Sequence, residues 1–218
     1  MITHFDGDFS LLSYADYDYS NSFRSELHQA LMWIIPDIPK IIRGTPTRMW
    51  RGVHIEPDLI RLARGYRINS EKFVLNLHIG LLSGDDKVPA HFHPFGDMGV
   101  FMVSGSYNNT FGPVMQSEND ILPSQEVRIK SGDTYFLGGN LCHKVDQIDG
   151  PTFSIMLHKR SGIQKAQPQD YDSVTILDEQ RKEGLLNDLI SRFFKTDYYD
   201  NLLYKKTGRV KPQILEPA

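Results

Sequence analysis

The chain has 218 residues, enough for one sizeable core, and its 27 acidic and 24 basic side chains give a formal net charge of -3. That balance, with a sequence pI near 6.2, argues against a nucleic-acid surface, which calls for clustered Lys and Arg. A lone cysteine (Cys142), no leader pattern and no run approaching ~18 apolar residues leave the expectation of one soluble, cytoplasmic domain that binds small molecules, not a membrane protein.

Residues 1 to 20 are rich in Tyr, Asp and Ser without periodicity and read as an arm. From Ser22 to Ile35 the residues Phe23, Leu27, Ala30, Leu31 and Ile34 recur at helical spacing, with Asn21 or Ser22 as cap and Pro36 as stop. Pro57, Leu59, Ile60, Leu62 and Ala63, closed by Gly65, predict a second short helix, so that residues 1 to 69 form an arm with helices. The period then becomes two. Phe73, Leu75, Leu77, Ile79 and Leu81 alternate with Val74, Asn76, His78 and Gly80, a strand with one apolar face. Strand signals follow near 98 to 104, 106 to 111, 126 to 130, 133 to 137, 142 to 147 and 152 to 158, with a polar loop from Gly112 to Gln125. Strands this close, with no helical pattern between them, predict an all-β antiparallel barrel over roughly 70 to 160. After Pro168, Leu177, Leu185, Leu186, Leu189, Ile190, Phe193 and Phe194 make an apolar stripe, read as a helical segment over 161 to 218 packed on the barrel or, alternatively, as a homodimer contact.

Chemistry concentrates at His91-Phe92-His93. Side chains at i and i+2 of a strand share a face, so these two imidazoles can meet at one ion, and His143 can complete the set from a neighbouring antiparallel strand. Asp97 would share that face if the strand were continuous, but Pro94 and Gly96 interrupt it; its roles are fourth ligand or hydrogen-bond partner of a ligand. His78, opposite the apolar face of its strand, is a pocket-wall candidate able to move a proton, while Cys142 must point away from His143 as a buried thiol. An anionic substrate wants a planar, bidentate donor, for which Arg67, ahead of the first core strand, and Arg160, after the last, are the candidates.

Two stretches resemble the paired signature motifs of the cupin superfamily. The first is carried by Gly84, His91, His93, Asp97 and Gly105, with gaps one residue longer than usual on either side of the histidines and Asp where Glu is usual. The second runs from Gly132 to His143 at the usual separation, with Gly138 and Asn140 in place of Pro and Gly. That resemblance implies a double-stranded β-helix, or jelly-roll barrel, with helices on both flanks, and a metal held by His91, His93 and His143.

Residues 66 to 160 are similar in order to cupin thiol dioxygenases of the cysteine dioxygenase type. Tyr66-Arg67, the strand from Phe73 to Leu82, His91-Phe92-His93, Gly105, the polar loop at 112 to 125, His143-Lys144-Val145 and Thr152 to His158 carry the likeness. It implies Fe(II) on three histidines, dioxygen as co-substrate, and roles for Tyr66 and Arg67 beside the substrate. The family's Tyr-x-Arg is Tyr66-Arg67 here, its Ser-x-His-x-Tyr element is absent around Ser154, and Asp97 stands where that family has no acidic ligand. The expected function is a non-haem Fe(II) oxygenase on a small anionic substrate, with thiol dioxygenation as its most specific form. Mn, Ni or Zn would suit the same ligands. A metal-dependent cupin lyase or isomerase, and a cupin that binds a ligand without turnover, are the alternatives.

Overall fold

The computed structural model describes residues 2–5, 9–12, 21–55, 59–68, 71–80, 88–93, 97–112, 114–117, 120–122, 124–137, 141–159, 174–194 and 197–207. In chain order its strands are β1 (Ile2–Phe5), β2 (Phe9–Leu12), β3 (Arg51–Ile55), β4 (Leu59–Ile68), β5 (Glu71–Gly80), β6 (Val88–Phe92), β7 (Met98–Gly112), β8 (Val114–Ser117), β9 (Asp120–Leu122), β10 (Gln125–Lys130), β11 (Thr134–Leu137), β12 (Cys142–Lys159) and β13 (Val174–Ile176). Its α-helices are α1 (Asn21–Ile34), α2 (Ile38–Gly44), α3 (Glu179–Leu189) and α4 (Asp197–Thr207). None of the described helices is long and apolar enough to cross a membrane.

The long strands β7 and β12 organise the rest because each bends and so serves two sheets. The first half of β7 pairs with β11 and with the end of β12, and that sheet continues through β5, β4, β3 and β13. The second half of β7 pairs with β10 and with the start of β12, which also holds β6. Bending requires particular backbone: Gly105 at φ +82 sits where β7 turns, and a Cβ there would lie 3.0 Å from both the Pro151 carbonyl oxygen and the Thr152 Cα. On β12 the corner is made by Gln147 at φ 47 and Gly150 at φ +68, where the register with β7 shifts.

Strand parity sorts the side chains into two cores. Ile60, Leu62, Phe73, Leu75, Leu77, Phe101, Phe153, Ile155 and Leu157 pack on one face against Leu27, Leu31 and Ile34 of α1, Leu186 and Leu189 of α3 and Tyr199 of α4. From the opposite face, Met98, Val100, Met102, Tyr135, Leu137 and Met156 meet Tyr107, Phe111, Ile129, Val145 and Ile148 of the smaller sheet. A third cluster, Ala90, Ile121 and Cys142 with Phe92, lies on the outer side of that smaller sheet, where β8 and β9 form a hairpin within the loop expected at 112 to 125.

Helix α1 ends in a 3-10 turn at Ile35–Asp37, where Pro36 stops it as the sequence predicts. Asp178 caps α3 by accepting from the Arg181 N–H at 2.7 Å. The helix expected around 57 to 65 does not form. Residues 59–68 are a strand paired over its whole length with β5, from Leu59 opposite Gly80 to Ile68 opposite Glu71, and helix α2 lies earlier instead. Leu59, Ile60, Leu62 and Ala63 fit either period, and ten residues of cross-strand pairing decide for the sheet. The sheet is therefore larger than the 70 to 160 span: β3 and β4 join it ahead of β5, β13 joins after β12, and β2 from the arm adds in parallel to β11.

Candidate metal centre

Cross-strand register brings the three motif histidines together. His143 of β12 lies directly opposite His91 of β6, and His93 is two residues further on the same parity. Their ring centroids are 4.8 Å apart for His91 and His93, 4.4 Å for His91 and His143, and 4.9 Å for His93 and His143. One nitrogen from each lies within 4.8 Å of the others. The imidazole of His93 approaches that of His143 with 2.7 Å between their Nε2 atoms.

Contacts behind the rings set which nitrogen faces inward. The Nδ1 of His91 is 2.8 Å from the Pro89 carbonyl oxygen, and the Nδ1 of His143 is 3.0 Å from Asn109 Oδ1. Both oxygens can only accept, so in each case the N–H is at Nδ1 and Nε2 keeps its lone pair. Phe111 stacks on the His143 ring at 6.1 Å and 13°. Burial pushes all three imidazoles below the usual histidine range. His93 is lowered further by His143, His91, His78 and His158, and His143 by His91, whereas the Pro89 contact partly opposes the shift at His91. A neutral imidazole with its lone pair inward, as in His91 and His143, is the ligating form, and with the neutral His93 beside them these residues fit a divalent ion.

Facing this cluster across the interior is a second polar wall. On β5, His78 is flanked by Arg61 of β4 and Ser154 of β12, while His158 has the same parity as Ser154. His78 is half-buried as a residue, yet its Nε2 is shielded from solvent and has no hydrogen-bond partner among the described residues. Its pKa falls to about 3, by burial first and then by Arg61, His158 and His91. That of His158 falls to about 4, again chiefly by burial, with a backbone hydrogen bond at Lys159 opposing and Arg61 adding. Neutral histidines beside a guanidinium make a wall that can take an anion and exchange hydrogen bonds with it.

The other sequence candidates lie elsewhere. Asp97 is half-buried just ahead of β7, and the group able to hold a metal ion among the described residues consists of the three histidines without it. Tyr66 packs against the helix-side core with the Arg64 guanidinium carbon 5.8 Å from its ring centre. Arg67 is exposed opposite Lys72, six positions along β4 from Arg61 and thus roughly 20 Å away at strand rise. Arg160 lies outside the described residues. Cys142 does point away from His143, into the small outer cluster, and burial pushes its thiol up to about 11. Spacing alone singles out neither Arg61 nor Asn109, and it makes His158 an exposed strand end. Arg61 becomes visible only once β4 is a strand in register with His78.

No family model matches the chain, and no curated protein matches it. Among solved structures, a cupin superfamily protein from Desulfitobacterium hafniense is similar at 14% identity over 46% of this chain and 78% of its own, with a TM-score of 0.32. The DMSP lyase DddQ from Ruegeria pomeroyi is similar at 19% identity over 43% of this chain and 41% of its own, TM-score 0.32. The hydroxypropylphosphonic acid epoxidase from S. wedmorenis is similar at 13% identity over 52% and 56%, TM-score 0.37. This chain thus spans less than two thirds of the length of the lyase and of the epoxidase. At such scores these likenesses are partial, and the fold rests on the chain's own strand pairing. By that pairing, with two bent strands shared between facing antiparallel sheets and helices on the flank, the chain has the cupin type of fold, a double-stranded β-helix.

Proposed function

We propose that the chain is a metal-dependent enzyme acting on a small anionic substrate, and that with Fe(II) bound it is an oxygenase, with thiol dioxygenation as its most specific form. The observation that carries this reading is the composition of the cluster: three neutral imidazoles with no carboxylate among the described residues, turned toward an interior whose opposite wall holds Arg61, His78 and His158. Three nitrogen donors would leave coordination positions for a substrate atom and for dioxygen, and Fe(II) held there would activate dioxygen, while the electrons that reduce it come from the substrate, both oxygen atoms adding to a thiolate sulfur to give the sulfinate. Arg61 holds the anionic end of the substrate by paired hydrogen bonds, fixing the distance between that end and the metal. His78, neutral and with Nε2 shielded from water, accepts or donates a single hydrogen bond beside it.

The test is oxygen uptake by the iron-loaded protein over a panel of small thiols and carboxylic acids. Uptake should require both Fe(II) and one class of substrate. Turnover without oxygen, on a redox-inert ion such as Zn(II), would replace the oxygenase reading by lyase or isomerase chemistry.

A further inference from the structure

Asn109 is fully buried in the second half of β7, where it stands beside Val145 of β12, two residues from His143. It lies behind the metal cluster, on the Nδ1 side of the His143 ring. A buried amide is costly unless its groups are used, and here the two ends differ. Its Oδ1 accepts from His143 at 3.0 Å, while its Nδ2 closes no hydrogen bond among the described residues. The amide also lies close enough to the buried Tyr135 hydroxyl to favour that group's ionised form, against the burial that pushes it up to about 12. Tyr135 in turn shares a 2.8 Å hydrogen bond with the buried Tyr107 hydroxyl. The polar line His143, Asn109, Tyr135, Tyr107 therefore runs back from the metal cluster into an otherwise apolar core.

An amide has two orientations that differ by a flip, and they impose opposite tautomers on a histidine. With Oδ1 toward the ring, His143 carries its proton on Nδ1 and offers Nε2 to a metal; with Nδ2 toward the ring, Nδ1 must accept and Nε2 carries the proton. We infer that Asn109 is a positioning residue that locks His143 in the tautomer able to bind metal. The inference rests on the metal reading of the three histidines and is independent of whether the chemistry is oxygenation. A neutral amide does this without the charge that a carboxylate partner would add behind the ligand, so it orients the ring while leaving imidazole basicity little raised.

Two measurements test it on the full chain. The first is the nitrogen-15 spectrum of the metal-free protein, with His143 assigned through a His143→Gln variant. The wild type should show His143 protonated at Nδ1, Asn109→Ala should shift it toward the other tautomer, and Asn109→Asp should restore it. The second is the affinity for added Co(II). Asn109→Ala should bind about 10- to 100-fold more weakly, as loss of a hydrogen-bond partner behind a ligating histidine does. Asn109→Asp should bind at least as tightly as wild type, and Tyr135→Phe should lose less than Asn109→Ala. An Nε2 proton on His143 in the wild type overturns the inference, as does an Asn109→Ala protein with unchanged tautomer and unchanged Co(II) affinity. If wild type and His143→Gln bind Co(II) alike, it is the metal reading that fails, and the spectrum still decides whether Asn109 sets the tautomer.

Discussion

The two faces of the larger sheet are made by the same strands, yet they are built for different ends. On β5, Leu75 and Leu77 point to the helices and are fully buried among apolar side chains, whereas Asn76 and His78 point to the interior. On β12, Ile155 and Leu157 face the helices and Ser154 and His158 do not. The helix face gains its free energy from area removed from water, about 25 cal/mol per Å² of apolar surface. Burying imidazoles on the other face costs stability, which function can justify. The lesson is that along β5 stability and chemistry are separated by parity within a single strand. A substitution at residue n and one at n+1 should therefore fail in different ways.

The largest expected effect concerns the metal cluster. His143→Ala, His91→Ala or His93→Ala should each abolish stoichiometric uptake of a divalent ion, read by metal analysis of protein purified without added metal. Full occupancy in His143→Ala would break the comparison at its functional side. On the opposite face, Leu75→Ala should cost about 2 to 5 kcal/mol of unfolding free energy in denaturant titrations, the range for truncating a fully buried leucine. Its folded fraction should still bind metal as wild type does. A large loss of metal affinity there would show that the faces are not independent.

Smaller effects sharpen the division along β4. Arg61→Gln should raise the Michaelis constant at least about tenfold while leaving metal occupancy unchanged, because losing a paired ionic hydrogen bond costs about 1.5 to 3 kcal/mol. Arg67→Gln should leave both close to wild type, as an exposed substitution changes stability by no more than about 0.5 kcal/mol. Steady-state kinetics on the pair would decide which arginine meets the substrate.

The interior face also predicts an acid limit. His78 and His158 have folded-state pKa values lowered to about 3 and about 4 from an unfolded value near 6.5. As pH falls below 6.5 the unfolded chain takes up protons first, so the stability tied to neutral burial is complete above 6.5 and is lost on the way down to 4 and then 3. Denaturant midpoints of metal-free protein measured from pH 7.5 to 4.5 should fall, and more gently in His78→Gln. An unchanged pH slope in that variant would mean that His78 is solvated.

Much of this was legible in the residues. The period of two from Phe73, the helical spacing from Ser22 stopped by Pro36, and the i, i+2 pair His91 and His93 are local signals, and local signals survive folding when packing agrees with them. The third histidine of the cluster, His143, needed only a strand pair to bring it in. Tertiary structure alone decided the rest. Leu59, Ile60, Leu62 and Ala63 carry helix and strand periods at once, and the pairing with β5 made the choice, turning Arg61 inward beside His78 and leaving Arg67 outside. Asn109 sits within the strand signal at 106 to 111, where nothing local sets it apart from its polar neighbours. A polar parity reads the same in sequence whether it meets water or an enclosed site, because either can satisfy its hydrogen bonds, and only the second sheet closing over the first determines which of the two it meets.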